Sequence, residues 1–181
     1  KVKDMASARG HEGIFGASAG GGATRDYAAM IAKTAGAKFR IVSGYKGTTD
    51  ILLGMERGEV DGLCGFAWNS LKSQKPDWLR DKKINILLQI ALEPNAELNQ
   101  LNVPILWNFV TKDDDRKALE LIVSQQVFLR SYIAPPGTPE TQVKMLREAF
   151  ARTLADPEFL SDATKAKIDI NPSSGEKVQK V

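Results

Sequence analysis

Ile14-Phe15-Gly16-Ala17-Ser18-Ala19-Gly20-Gly21-Gly22-Ala23-Thr24 runs straight into a helical pattern from Arg25 to Lys33. An apolar strand enters a triple-glycine turn, and the turn opens a helix. Glycine lets the backbone take positive φ and lets a guest approach the main chain closely. The first N–H groups of a helix have no internal partner and face the turn. The helix dipole adds roughly half a positive charge there. Such a turn suits an anion. The device recurs about twenty residues later. Phe39-Arg40-Ile41-Val42-Ser43 reads as a strand and Gly44-Tyr45-Lys46-Gly47 as a turn, with Thr48 or Thr49 as the N-cap of the next helix.

Three familiar motifs compete for the first turn. Gly16-Ala17-Ser18-Ala19-Gly20 matches G-x-S-x-G, the nucleophile elbow of hydrolases. That fold needs a histidine after the serine, and the only histidine, His11, precedes it. A P-loop needs Lys-Ser/Thr after its last glycine, and Gly22-Ala23 stands there instead. A dinucleotide fold needs a carboxylate at the end of the second strand, where this chain has Ser43-Gly44-Tyr45. What survives is an anion pocket without catalytic machinery; the alternative is a pair of glycine turns that only connect strand to helix.

Composition narrows the classes further. The chain has 181 residues, 43% hydrophobic and 26% charged, which is ordinary for a globular protein. Its net charge of +3 is spread along the chain, too diffuse for a nucleic-acid footprint. Nothing approaches the run of roughly 18 apolar residues that a spanning helix needs. Cys64, the one cysteine, lies in Leu63-Cys64-Gly65-Phe66 and reads as a small core residue. One cysteine and one histidine offer no metal-ligand cluster, and no cofactor is expected. The chain begins at Lys1 without a signal peptide and ends soon after a helix-cap pattern at Ser173-Ser174-Gly175; the expectation is a piece of a longer protein.

Helix and strand patterns alternate. Lys1 to Arg9 reads as a frayed helix. Tyr27, Met30, Ile31 and Thr34 mark one face of the next, which stops at Gly36. Ile51, Leu52 and Met55 mark another, ending near Gly58. A third strand is expected after Gly62 and a fourth at Ile84 to Ile90. Trp68 to Lys83 reads as two short helices broken at Pro76, Glu93 to Pro104 as loop, and Asp113-Asp114-Asp115 as a helix start. This alternation argues for an α/β layer with a largely parallel sheet, flanking helices and its functional turns at the strand C-terminal ends. Val127 to Ala134 reads as extended, and Pro135-Pro136-Gly137 stiffens its exit. Thr138-Pro139-Glu140 and Asp156-Pro157-Glu158 are helix starts, with Val143, Leu146, Phe150 and Leu154 as an apolar stripe. The tail, helical apart from a short strand at Ile168 to Ile170, has no sheet of its own to cover that stripe. Either the tail packs back on the first layer or its partner sheet lies in sequence upstream; the stripe is also compatible with dimerisation or domain exchange.

Four segments in order carry a family resemblance. They are Phe39 to Thr48, Met55-Glu56-Arg57-Gly58-Glu59-Val60-Asp61-Gly62, Ala134-Pro135-Pro136-Gly137-Thr138-Pro139 and Ala155-Asp156-Pro157-Glu158-Phe159. Together they resemble the Bug-type periplasmic receptors of tripartite tricarboxylate transporters. The resemblance implies a type II periplasmic-binding clamshell, with residues 1–129 forming lobe two and residues 130–181 the hinge return and helical part of an incomplete lobe one. It implies a periplasmic receptor that delivers a small carboxylate (a di- or tricarboxylate, an amino acid or an aromatic acid) to membrane transporter subunits, without catalysis. The implied site is the turn Ser18 to Thr24 with the turn Tyr45 to Thr48. Backbone N–H groups and the Ser18, Thr24 and Thr48 hydroxyls would hold one carboxylate, and Lys46 would reach it or only contribute a background field. Phe66-Ala67-Trp68-Asn69 lies at the same sheet edge. Trp68 would form a pocket wall and Asn69 a donor, or both serve only cap and packing; Arg25 is expected to face solvent.

Charge-assisted hydrogen bonds contribute about 1.5–3 kcal/mol each, so a few of them plus closure of a second lobe reach micromolar affinity. With half the cleft absent, this chain is expected to bind weakly or not at all. The same architecture also serves effector-sensing domains of transcription regulators, which a preceding helix-turn-helix would mark. An enzyme acting on a small acid is the third reading; Asp26 and Asp61 are titratable, but no pair is placed for acid-base work.

Overall fold

The computed structural model describes residues 2–128, 131–166, 168, 170 and 172–180. Its centre is one strand-helix-strand unit. Strand β1 (Gly13–Ala17) lies parallel to β2 (Phe39–Ser43), with Phe15 opposite Ile41 and Ala17 opposite Ser43. The crossover is helix α2 (Ala23–Ala35). Its buried residues Thr24, Ala28, Ile31 and Ala35 recur at helical spacing, and all but Ile31 are small, so the helix settles close to the sheet. Gly36 ends it at φ 72°, the left-handed turn a C-terminal glycine supplies without strain. Helix α1 (Met5–Gly10) precedes the unit, and Asp4 and Ser7 close a reciprocal cap on it. Arg9 Nε donates to the Ala35 carbonyl at 2.8 Å and ties α1 to the end of α2.

Helix α3 (Thr48–Glu56) follows β2, and α4 (Trp68–Gln74) and α5 (Pro76–Arg80) meet at Pro76 as the pattern predicts. Helix α6 (Ala96–Gln100) occupies the region read as loop, capped by Asn95. Helix α7 (Asp113–Ser124) starts on the three aspartates. Two cores result. Met5, Ala8, Ile31, Leu106, Leu119 and Val123 form one, joining α1, α2 and α7. Leu52, Leu71 and Trp78 form the other, joining α3, α4 and α5. The molecule is a mixed α/β structure with far more helix than strand among the described residues.

The sheet is smaller than the pattern predicts. The expected third strand is a single bridge, Phe15 with Gly62, and the expected fourth is a bridge from Gln89 to Ile105. Local chemistry stops both. The Ile14 N–H donates to Asp61 Oδ2 at 2.8 Å instead of extending a ladder, and Gly65 at φ 71° turns the chain away. Gln89, 4% exposed, spends its side chain on Asn99 Oδ1 (3.0 Å), the Val103 carbonyl (2.8 Å) and the Asn95 N–H (2.8 Å). It organises the α6 loop rather than a strand.

Helices α8 (Glu140–Ala155), α9 (Pro157–Lys165) and α10 (Gly175–Gln179) make up the tail. Asp156 caps α9 as predicted, its carboxylate accepting from the Glu158 and Phe159 N–H groups. Helix α8 begins one residue later than predicted, because the Thr138 hydroxyl donates back to the Pro135 carbonyl at 2.7 Å and Pro139 holds the cap position. No described residue of α8 is buried; Leu146 and Phe150 are exposed, and Phe150 meets the Tyr132 ring at 5.0 Å. A 3₁₀ turn, Gln125–Phe128, occupies the start of the segment read as extended. The boundary drawn at residues 129 and 130 falls outside the described residues, as does part of the short strand expected at Ile168 to Ile170.

Candidate functional site

The first bend links β1 to α2 and is tied by hydroxyls. The Thr24 side chain, 6% exposed, accepts from the Ser18 N–H at 3.0 Å and shares a 2.9 Å hydrogen bond with the Ser18 hydroxyl. Gly22 N–H closes on the Ala19 carbonyl at 3.3 Å. A methyl on Gly22 would lie 2.7 Å from Ser18 Oγ, and Gly21 sits at φ 81°, so the tight loop needs both glycines. The Ser18 and Thr24 hydroxyls therefore hold the bend in shape first. Among the described residues, the N–H groups of Ala19, Gly20, Gly21, Ala23 and Thr24 carry no internal hydrogen bond.

The second bend links β2 to α3. Gly47, extended, takes the cap position expected of Thr48 or Thr49, and Thr48 is the first helical residue. With no side-chain cap, the N–H groups of Lys46, Gly47, Thr48 and Thr49 stay open. Lys46 is exposed. Tyr45 is buried enough to act as the bend's anchor. Its ring fills a slot between two glycines: a methyl on Gly16 would lie 3.3 Å from the ring, and one on Gly54 2.9 Å from the hydroxyl. That hydroxyl donates to Glu59 Oε2 at 3.3 Å, and desolvation together with the Glu59 charge holds its pKa above the usual tyrosine value.

Both bends leave the same edge, because β1 and β2 run parallel. The Ala17 carbonyl, last in β1, accepts from Gly44 N–H (3.2 Å) and Tyr45 N–H (3.3 Å). One oxygen thus joins the end of the first strand to the start of the second turn. Two sets of open N–H groups at two helix starts sit side by side there, and carboxylate recognition asks for this arrangement.

The Phe66–Asn69 segment reaches the first bend. A methyl on Gly65 would lie 3.0 Å from the Ala23 backbone, so this glycine permits direct contact with the start of α2. Trp68 Nε1 donates to Glu97 Oε2, and Lys72 Nζ donates to both Glu97 oxygens at 3.1 and 2.9 Å. Lys72 and Trp68 hold the Glu97 carboxyl below the usual glutamate range. The indole N–H is thus spent, and the ring is left as a wall. Asn69 and Arg25 are exposed, and Arg25 pairs with Asp26 at 3.5 Å.

A cleft of about 1440 Å³ opens beside the first bend; Gly21, Ala23, Tyr27, Phe66 and Trp68 line that end of it. Ser18 to Gly20 and the whole of the second bend lie outside its lining. Cys64 also lines it, and desolvation pushes its thiol up to about 12. No group of three metal-ligating side chains occurs among the described residues.

No family model matches this chain, and no curated protein does. A solved structure, Rpa4515 from R. palustris with adipate, resembles it with a TM-score of 0.57 at 18% identity. The match covers 99% of this chain and 56% of the neighbour. At that identity the likeness is one of fold. The chain therefore spans a little over half the length of this structural neighbour.

Sequence reasoning missed the residues that hold the site in place. Glu59 fixes Tyr45 from 14 positions away, and Glu97 fixes Trp68 from 29. Gln126 Nε2 donates to the Tyr27 hydroxyl and to the Ile90 carbonyl, both at 3.1 Å, across a separation of 99 residues in the first case. No local pattern signals such partners; only the slot of Gly16 and Gly54 left a trace, as glycines inside a strand and a helix.

Proposed function

We propose that this chain is the carboxylate-holding part of an extracytoplasmic solute receptor, of the Bug type that serves tripartite tricarboxylate transporters. The observation that carries the reading is the pair of bends joined through the Ala17 carbonyl, with open N–H groups on both. Adipate in the solved structure of the neighbour supports a small carboxylate as guest. Within the bends Ser18 to Thr24 and Tyr45 to Thr48, the open N–H groups of Ala19, Gly20, Gly21, Ala23, Thr24, Lys46, Gly47 and Thr48 hold it, Trp68 walls the pocket, and Asn69 stays at the rim. The protein is periplasmic, hands its ligand to membrane subunits and performs no chemistry. Residues from 130 onward belong to the other lobe of a type II clamshell.

Titration of the ¹⁵N-labelled chain with adipate, followed by amide chemical shifts, tests this. Millimolar adipate is expected to move the amides of Gly20, Gly21, Ala23, Gly47 and Thr48, with the dimethyl ester as a silent control. Affinity is weak, because the chain corresponds to 56% of the neighbour. Amides at both bends that move neither with adipate nor with a monocarboxylate of the same length would sink the reading. Shifts of equal size with the ester would do so as well.

A further inference from the structure

The cleft beside the first bend says what kind of carboxylate the site takes, granted the reading above. From Gly21 and Ala23 its lining runs inward over apolar side chains, among them Phe15, Leu63, Phe66, Ile84 and Leu88. A ligand whose head sits on the bend has this surface beside it for its body.

Among the described residues the lining offers no open cation. Five carboxylates line it, and four of them are paired: Glu12 with Arg40, Asp26 with Arg25, Glu56 with Lys75, and Asp77 with Lys83, the one ammonium in the lining. Lys83 is not available to a guest, for it donates to Asp77 Oδ2 at 2.7 Å and lies 3.6 Å from Asp81. Two amides in the lining are engaged too, while those of Asn85 and Gln125 make no side-chain hydrogen bond among the described residues. Gln89 makes three side-chain hydrogen bonds, and Gln126 bridges Tyr27 and Ile90. A second carboxylate carried into this space meets apolar side chains and, among the described residues, no open cation. Removing an ion from water without a partner costs far more than a methyl group gains by the same burial.

We infer that the ligand of this site is a monocarboxylate with an apolar body, held by its head at the Gly20–Thr24 bend and by its tail in the cleft. The chain therefore departs from its structural neighbour, whose solved structure holds a dicarboxylate.

Hexanoate and adipate make the test, since both carry six carbons and differ only in whether the far end is a methyl or a carboxylate. Each is titrated into the full 181-residue chain, with amide shifts reporting the bend and methyl shifts of Leu63, Ile84 and Leu88 reporting the cleft. Hexanoate is expected to move both sets and to bind at least about tenfold more tightly, roughly 1.4 kcal/mol. Adipate binding equally or better, through the same bend amides, overturns the assignment while leaving the receptor reading intact. Hexanoate shifts confined to the cleft methyls overturn it as well, since the head is then not at the bend. Silence of the bend amides with both acids defeats the receptor reading itself. A variant guards the result. Placing an ammonium in the cleft with Ala91→Lys, its fold checked by circular dichroism, is expected to narrow the preference for hexanoate; an unchanged preference counts against the cleft as the seat of the tail.

Discussion

Thr24 does more for the first bend than any other side chain. Its buried hydroxyl accepts from Ser18 N–H and pairs with Ser18 Oγ, so Thr24→Val leaves two polar groups without a partner. Stability to urea is expected to fall by roughly 1–3 kcal/mol, and Ser18 amide exchange to accelerate beyond that of the β1 interior. Glu97 is the other informative residue. Its carboxyl is held low by Lys72 and Trp68, so the folded state favours the charged form. The contribution is whole above the ordinary glutamate range and fades as pH falls through the lower folded value. Acid titration is expected to release the Trp68 ring in that window, with red-shifted fluorescence in a chain whose other tryptophans are replaced by phenylalanine. Glu97→Gln in the same background is expected to start red-shifted and remain so; a pH-independent emission in the parent would refute the coupling.

Elements whose signals are local were legible in the sequence. Asp156-Pro157 starts α9 where the pattern put it, and Asp113–Asp115 starts α7, because cap, proline and dipole act within one turn. Asp156→Ala is expected to cost about 1 kcal/mol and to show as fraying of α9 in amide exchange. The glycine bends were legible for the same reason, since the demand for positive φ or close approach falls on one residue. Strands three and four were not. The apolar run Ile84 to Ile90 has strand composition, yet Gln89 within it is recruited by Asn95, Asn99 and Val103 from the following loop. Composition cannot foresee which tertiary partner a buried amide finds. Gln89→Leu tests the point: it strands a buried carbonyl and N–H. It is expected to destabilise the chain by about 3 kcal/mol in chemical denaturation, despite added hydrophobicity.

At the scale of the molecule, the contrast is between two filled cores and a bare tail. Leu119 and Val123 of α7 are 1% and 0% exposed, whereas Leu146 of α8 is 56% exposed and Ile133 before it 90%. Apolar surface of this kind seeks cover. Self-association is expected in sedimentation velocity as concentration rises, and the double change Leu146→Glu with Phe150→Glu is expected to restore a single slow species. Persistence of the fast species in that variant would place the contact elsewhere. The same surface explains why α8 was readable as a helix but its packing was not: periodicity reports which face is apolar and says nothing of what lies against it.

The Ala17 carbonyl, shared by Gly44 and Tyr45, couples the spacing of the two loops to the strand register itself. They cannot separate without breaking both bonds to that single oxygen. On the proposed reading, a guest would meet a mouth whose gauge was fixed when the chain folded, with little ordering left to do on arrival. The main chain would then screen headgroup size before any side chain takes part, leaving the rest of the pocket to be retuned without loosening the grip.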